Sequence, residues 1–197
     1  MIAFAAIVGY LIGSIPTAHG LGRLWGVDLR SDGSGNPGTN NALRLGGPFL
    51  AVLVLLIEMG KGAAAAVAGL MMAGDVGAVV AGLAAIVGNV ANVWYGFKGG
   101  KGLAITGGIL LIVWPAVFLP VILAIALIAL ITKSSGTAVV WTLGLLNLAA
   151  VAWLALDWPV SWGIDAGGLL LLFSLGATAA LWQKHWYDSS LRKRRLA

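Results

Sequence analysis

Gly33-Ser34-Gly35-Asn36-Pro37-Gly38-Thr39-Asn40-Asn41-Ala42-Leu43-Arg44 is a run of glycines, amides and hydroxyls that ends in an arginine and lies between two long apolar stretches. Glycines let backbone N–H groups approach an anion, and consecutive N–H groups form an anion nest. Ser34, Asn36, Asn40 and Asn41 add side-chain donors, and Arg44 adds a planar fork suited to a phosphate. Gly33-x-Gly35-x-x-Gly38 also spells the dinucleotide fingerprint. No β-strand precedes it and no βαβ unit surrounds it, so that reading is rejected. The second candidate is Gly96-Phe97-Lys98-Gly99-Gly100-Lys101-Gly102, two lysines among four glycines directly before an apolar helix. The helix N-terminus adds partial positive charge there, but no Ser or Thr follows the lysine as a Walker A motif requires. Both segments can equally be polar turns in which Arg44, Lys98 and Lys101 serve only to orient the chain in a membrane.

Glu58 and Lys61 fall inside an otherwise apolar stretch. Ionisable residues there are costly and face the protein interior. Three apart on one helix face, they can pair with each other or meet a ligand. His185, in Lys184-His185-Trp186-Tyr187-Asp188, can be a general base, a phosphate ligand or an interfacial histidine. His19 is a packing or pore-facing residue. The tail Arg192-Lys193-Arg194-Arg195 reads as an anchor to anionic lipid.

The elements that must position these residues are helices in a bilayer. Of 197 residues 60% are hydrophobic and 10% charged, against about 25% charged in a soluble domain. The composition implies an all-α polytopic membrane protein with a single domain, 1–197. No cysteine is present, which excludes disulfides and thiolate metal sites, and two histidines make a histidine-rich metal site a poor reading. No metal and no cofactor are expected. The net charge of +5 belongs to loops between spans and does not indicate nucleic acid. The first 22 residues lack Lys and Arg, so they read as a true span and not as a secretory signal.

Apolar stretches place spans at about 2–24, 48–73, 77–96, 102–115, 118–132, 138–156 and 166–184, with a basic tail at 189–197. As one straight helix, 102–132 would reach about 46 Å at ~1.5 Å per residue, too long for an ordinary span. Pro115 and Pro120 can mark a hairpin within it. Divided there, and with the N-terminus outside, Arg23, Arg30, Arg44, Lys98, Lys101, Lys133, Lys184 and the tail share one side, opposite Asp75, Asp157 and Asp165. The positive-inside rule therefore predicts seven transmembrane helices with a cytosolic C-terminus. Glycines such as Gly9 and Gly13 have the spacing for close helix packing.

Gly13-Ser14-Ile15-Pro16, Gly33 to Arg44, Glu58-x-x-Lys61-Gly62 and Phe97-Lys98-Gly99-Gly100-Lys101-Gly102 occur in this order. Together they resemble the bacterial acyl-phosphate:glycerol-3-phosphate acyltransferase family, over residues 13–108 and more weakly on to His185. The resemblance implies seven spans and a cytosolic active site in the bacterial inner membrane. It implies transfer of a fatty acyl group from acyl phosphate to the 1-hydroxyl of glycerol 3-phosphate, giving lysophosphatidic acid for phospholipid synthesis. Carried over by motif, Ser34, Arg44, Lys101 and His185 would be catalytic. Asn36, Gly38, Asn41, Lys61, Lys98, Gly99, Gly100 and Gly102 would bind substrate. The partners implied are the two substrates and membrane lipid, with no nucleic acid and no protein partner. The chain departs from the family pattern with Glu58 in place of Asp, Asn89 in place of His, and Asp188 in place of Asn.

Two other classes fit some of the same residues. Anion loops on one face with buried Glu58 and Lys61 also suit a transporter or channel for a phosphorylated metabolite, although no internal repeat is visible. A catalytically silent membrane subunit would accommodate Asn89 and Asp188.

Overall fold

Backbone groups in hydrocarbon have no water to bond, and an α-helix satisfies them internally. Long uncharged runs of Ala, Leu, Ile and Val accordingly fold as helices. The computed structural model describes residues 1–158, 163–164 and 167–196, with side chains through Trp186. Asp165 lies outside the described residues, as do the side chains of Asp188 and of Arg192 to Arg195. All regular structure among the described residues is helical: α1 (Ile2–Ser14), α2 (Thr17–Leu24), α3 (Thr39–Val90), α4 (Leu103–Val113), α5 (Pro115–Thr132), α6 (Ser135–Ala155) and α7 (Gly167–Leu196), with one 3₁₀ turn at Val93–Tyr95. Among them, Ile2–Leu24, Thr39–Tyr95, Pro115–Thr132 and Ser135–Ala155 are long and apolar enough to cross a membrane, and Leu103–Val113 is a shorter apolar helix.

The breaks explain where the helices stop. Pro16 follows α1 and lacks a backbone donor, so the expected span 2–24 is two helices, α1 and α2. α3 is interrupted at Gly47 (φ 80°) before Pro48, and at Ala73 (φ −150°) and Gly74 (φ 61°). The second break falls at the expected boundary between 48–73 and 77–96. There the chain turns back on itself so tightly that a Cβ on Gly77 would overlap the Gly69 carbonyl oxygen. The helix after it ends at Val90 and not at 96. Asn92 supplies the reason: its Nδ2 donates to Ser14 O at 2.7 Å while its Oδ1 accepts from the Trp94 N–H at 3.0 Å. A side chain bonding locally in this way competes with helix continuation. The run 102–132 is divided at Trp114, with Pro115 in the first turn of α5, where a missing N–H costs nothing. Pro120, expected at that turn, lies inside α5.

The chain forms two compact units, Met1–Ile109 and Leu110–Ala197. In the first, α1 lies on the second half of α3. A Cβ on Gly9 or Gly13 would overlap the carbonyl oxygens of Ala81 and Ala85, so the predicted close packing is present. In the second, Asn147 Nδ2 on α6 donates to Thr178 Oγ1 on α7 at 3.0 Å, and fully buried Trp114 packs edge-on against Trp153.

Candidate active site

The first polar loop is held by two side chains, Asn41 and Asp28. Asn41, in the first turn of α3, is buried. Its Oδ1 accepts from the Ser34 N–H at 2.9 Å, and its Nδ2 donates to Leu29 O and Asp32 O, both at 3.0 Å. Gly33 (φ 62°) passes so close that a Cβ there would overlap Asn41 Oδ1. Upstream, Asp28 Oδ1 accepts from the N–H groups of Arg30 at 2.9 Å and Ser31 at 3.3 Å. The Arg30 N–H, foremost, holds the Asp28 carboxyl below the usual carboxylate range.

These bonds change the reading of the loop as an open anion nest. The N–H groups of Ser34, Gly35, Asn36 and Gly38 all bond within the loop, so they do not face a ligand. What stays open is the start of α3. Gly38 caps it without a side-chain bond, and the N–H groups of Thr39 and Asn40 have no partner among the described residues. Arg44 is exposed on the next turn and also has no partner among them. Ser34 is exposed, and Asn36 is half-buried beside Gly38.

The second loop is held by backbone. Gly99 N–H donates to Val90 O at 2.9 Å and Gly100 N–H to Asn89 O at 3.0 Å. A Cβ on Gly99 would overlap the Asn89 carbonyl oxygen. These glycines therefore provide close packing against the end of α3, and their N–H groups are already engaged. Lys98 is exposed and its ammonium has no partner among the described residues. Lys101 is half-buried, and the buried Gly102 (φ 76°) leads into α4.

The two loops meet. The Arg30 guanidinium lies 3.7 Å from the centroid of the Tyr95 ring, and His19 packs edge-on to the same ring. A Cβ on Gly100 would stand 3.6 Å from Pro37 O. Between them opens a small cleft, lined by Pro37 of the first loop and by Tyr95, Gly99 and Gly100 of the second, together with Thr17, Glu58, Lys61 and Asn89.

Lys61 and Glu58 form a buried ion pair within this lining, Nζ to Oε2 at 3.0 Å. Lys61 Nζ also donates to Ile15 O at 2.7 Å. Glu58 further accepts from the Thr17 hydroxyl and from Asn89 Nδ2, the latter at 2.9 Å. The pairing seen as one of two possibilities in the sequence is thus present, and the Lys61 ammonium is engaged by protein groups. His185 is buried on α7, in the second unit. Among the described residues no group of three or more His, Cys, Asp or Glu side chains could hold a metal ion.

Thr17, Arg30, Asn92 and Tyr95 were not visible as site residues in the sequence. Asn92 alone carries a signal, an amide between apolar residues where a helix should end. The other three are brought in by the path of the chain.

Apolar helices of membrane length, with a charged cleft between two cationic loops, define a helical integral membrane protein. A family model described as glycerol-3-phosphate acyltransferase matches residues 3–191. The chain belongs to this family. The glycerol-3-phosphate acyltransferase of Synechococcus sp. (strain JA-3-3Ab) is 46% identical over 151 residues, covering 71% of this chain and 74% of that protein. That of Nitrobacter winogradskyi is 41% identical over 187 residues, covering 94% and 88%. A crystal structure of PlsY, an integral membrane glycerol 3-phosphate acyltransferase, in its glycerol 3-phosphate form superposes with a TM-score of 0.77 at 30% identity, covering 99% of this chain and 91% of that one. The lysophosphatidic acid form matches with the same TM-score.

Proposed function

We propose that the protein transfers a fatty acyl group from acyl phosphate to the 1-hydroxyl of glycerol 3-phosphate, releasing lysophosphatidic acid and phosphate. The observation that carries this reading is the cleft in which Pro37 of the first polar loop meets Gly99 and Gly100 of the second. Two anions must lie side by side for this reaction, and their charges repel. Arg44, the open N–H groups of Thr39 and Asn40, Lys98 and Lys101 offset that repulsion and stabilise the departing phosphate. Asn36 lies beside Gly38 at the start of α3, and Ser34 is held by Asn41. Asn41 and Gly102 act by shaping the loops, and Lys61 by holding the cleft wall.

The hydroxyl oxygen attacks the acyl carbon, the bond from that carbon to the phosphate oxygen breaks, and the hydroxyl proton passes to a phosphate oxygen of the substrate. Phosphate leaves readily, so no covalent enzyme intermediate is required. The resemblance also assigns His185 to catalysis, and His185→Ala tests that assignment separately. The chain acts as one domain with seven spans in the bacterial inner membrane, N-terminus outside and site facing the cytosol. The helix breaks near residues 74 and 114 and the placement of Lys and Arg support this topology.

The test is purified protein with glycerol 3-phosphate and long-chain acyl phosphate, assayed for lysophosphatidic acid, with acyl-CoA alongside as a donor that should not serve. Lys101→Ala and Arg44→Ala should each abolish product while the protein still inserts. Near-normal turnover in both variants would overturn the site assignment.

A further inference from the structure

Asn89 has two ends, and the structure uses only one of them. Its Nδ2 donates to Glu58 Oε2 at 2.9 Å. A carboxylate offers acceptors only, so the amide must present its nitrogen to Glu58 and its oxygen to the other side. Glu58 is itself fixed by the Lys61 ammonium at 3.0 Å and by the Thr17 hydroxyl. The orientation of Asn89 is therefore set by a buried network that it terminates. On the other side, Asn89 Oδ1 stands 3.1 Å from where a Cβ on Gly100 would lie, and Asn89 lines the cleft. No described residue donates to that oxygen. The cleft wall next to the second cationic loop thus carries a held, open acceptor.

The geometry points to Asn89 as a specificity residue that accepts a hydrogen bond from a substrate hydroxyl through Oδ1, an inference that rests on the reading of the protein as a glycerol-3-phosphate acyltransferase. An amide oxygen repels phosphate oxygens and welcomes an O–H. It is too weak a base to take the proton of an attacking hydroxyl. The group it binds is therefore the non-reacting secondary hydroxyl, while the primary hydroxyl is left for the acyl carbon. Glu58 and Lys61 are positioning residues that act through Asn89.

The experiment compares glycerol 3-phosphate with propane-1,3-diol monophosphate, which keeps the primary hydroxyl and lacks the secondary one. The wild-type protein should favour glycerol 3-phosphate by about tenfold in kcat/KM, the scale of one hydrogen bond. In Asn89→Leu that preference should fall to near one, because the loss with glycerol 3-phosphate exceeds any loss with the analogue. Asn89→His keeps one ring nitrogen for Glu58 and the other as acceptor, and should restore the preference. A purely structural role would lower both substrates equally. If Asn89→Leu does not accumulate in the membrane, Asn89→Ala carries the same comparison. An unchanged preference in the Leu or Ala variant, or no preference in the wild type, overturns the inference. Transfer to neither substrate by the wild type overturns the functional reading, and the inference with it.

Discussion

The two polar loops look alike in composition and are built in opposite ways. The first, residues 25–38, is held by side chains: the Asn41 amide and the Asp28 carboxylate gather its backbone groups. The second, residues 91–102, is held largely by its own backbone, with Gly99 and Gly100 bonded to the carbonyls at the end of α3. Glycine in the first loop supplies left-handed turns at Gly33 and Gly35. In the second it supplies such turns at Gly96 and Gly102 and, at Gly99, room. A glycine-rich stretch is therefore not one kind of object. Side-chain anchoring makes a loop sensitive to the chemistry of its anchor, whereas backbone anchoring makes it sensitive to volume.

That contrast can be broken at the second loop first, where the largest effect is expected. Gly99→Ala adds one methyl group against a carbonyl oxygen that cannot move without moving α3. Displacing Lys98 and Lys101 by about 1 Å should lower kcat/KM by roughly 100-fold, read by turnover of protein recovered from the membrane. Gly96→Ala, where nothing stands near the added carbon but φ is 59°, should cost much less, about 1 kcal/mol of stability.

In the first loop chemistry matters more than size. Asn41→Asp keeps the shape and the acceptor for the Ser34 N–H, but turns an oxygen toward Leu29 O and Asp32 O. It should be as damaging as Asn41→Ala, each raising KM for glycerol 3-phosphate by about tenfold or more through groups left unsatisfied. An Asp variant that works normally would show that shape alone suffices there.

The contact joining the loops should have a smaller effect. Arg30→Lys keeps the charge and loses the guanidinium placed over the Tyr95 ring. A cation–π contact at an exposed site contributes about 0.5–1 kcal/mol, so a loss of activity of a few-fold is expected. Tyr95→Phe keeps the ring and should be milder than Tyr95→Leu.

The smallest effect is acid sensitivity of the first loop. The folded pKa of Asp28 is depressed, so its contribution to loop stability is fully present above the ordinary carboxylate value of 3.8 and is lost as pH falls through the lower folded value. Protease cleavage within residues 25–38 should be constant from pH 5 to 8 and rise only below about pH 4. Asp28→Asn should flatten that rise.

Much of this molecule can be read from its residues in order. Apolar runs bounded by charge predict helices, because hydrocarbon tolerates no unpaired backbone. Pro115 marks a break that the sequence shows, whereas the break at Pro16, inside the expected span 2–24, appears only in the fold. The two cationic loops and the pair Glu58 and Lys61 are visible from residue type and spacing, since those depend on local chemistry. What the order of residues leaves open is which donors already have acceptors. Asn41 resembles a ligand-binding amide until Leu29 O, Asp32 O and the Ser34 N–H are found around it. Gly99 and Gly100 resemble an anion nest until Val90 and Asn89 claim their N–H groups. Asn89 resembles a lost histidine until Glu58 takes its Nδ2 and leaves Oδ1 on the side of Gly100, within the lining of the cleft. A hydrogen bond saturates its donor, and its partner in a folded chain can lie 31 residues away, as Asn89 does from Glu58. The inventory of polar groups is thus a property of the sequence, whereas their vacancy is a property of the folded chain.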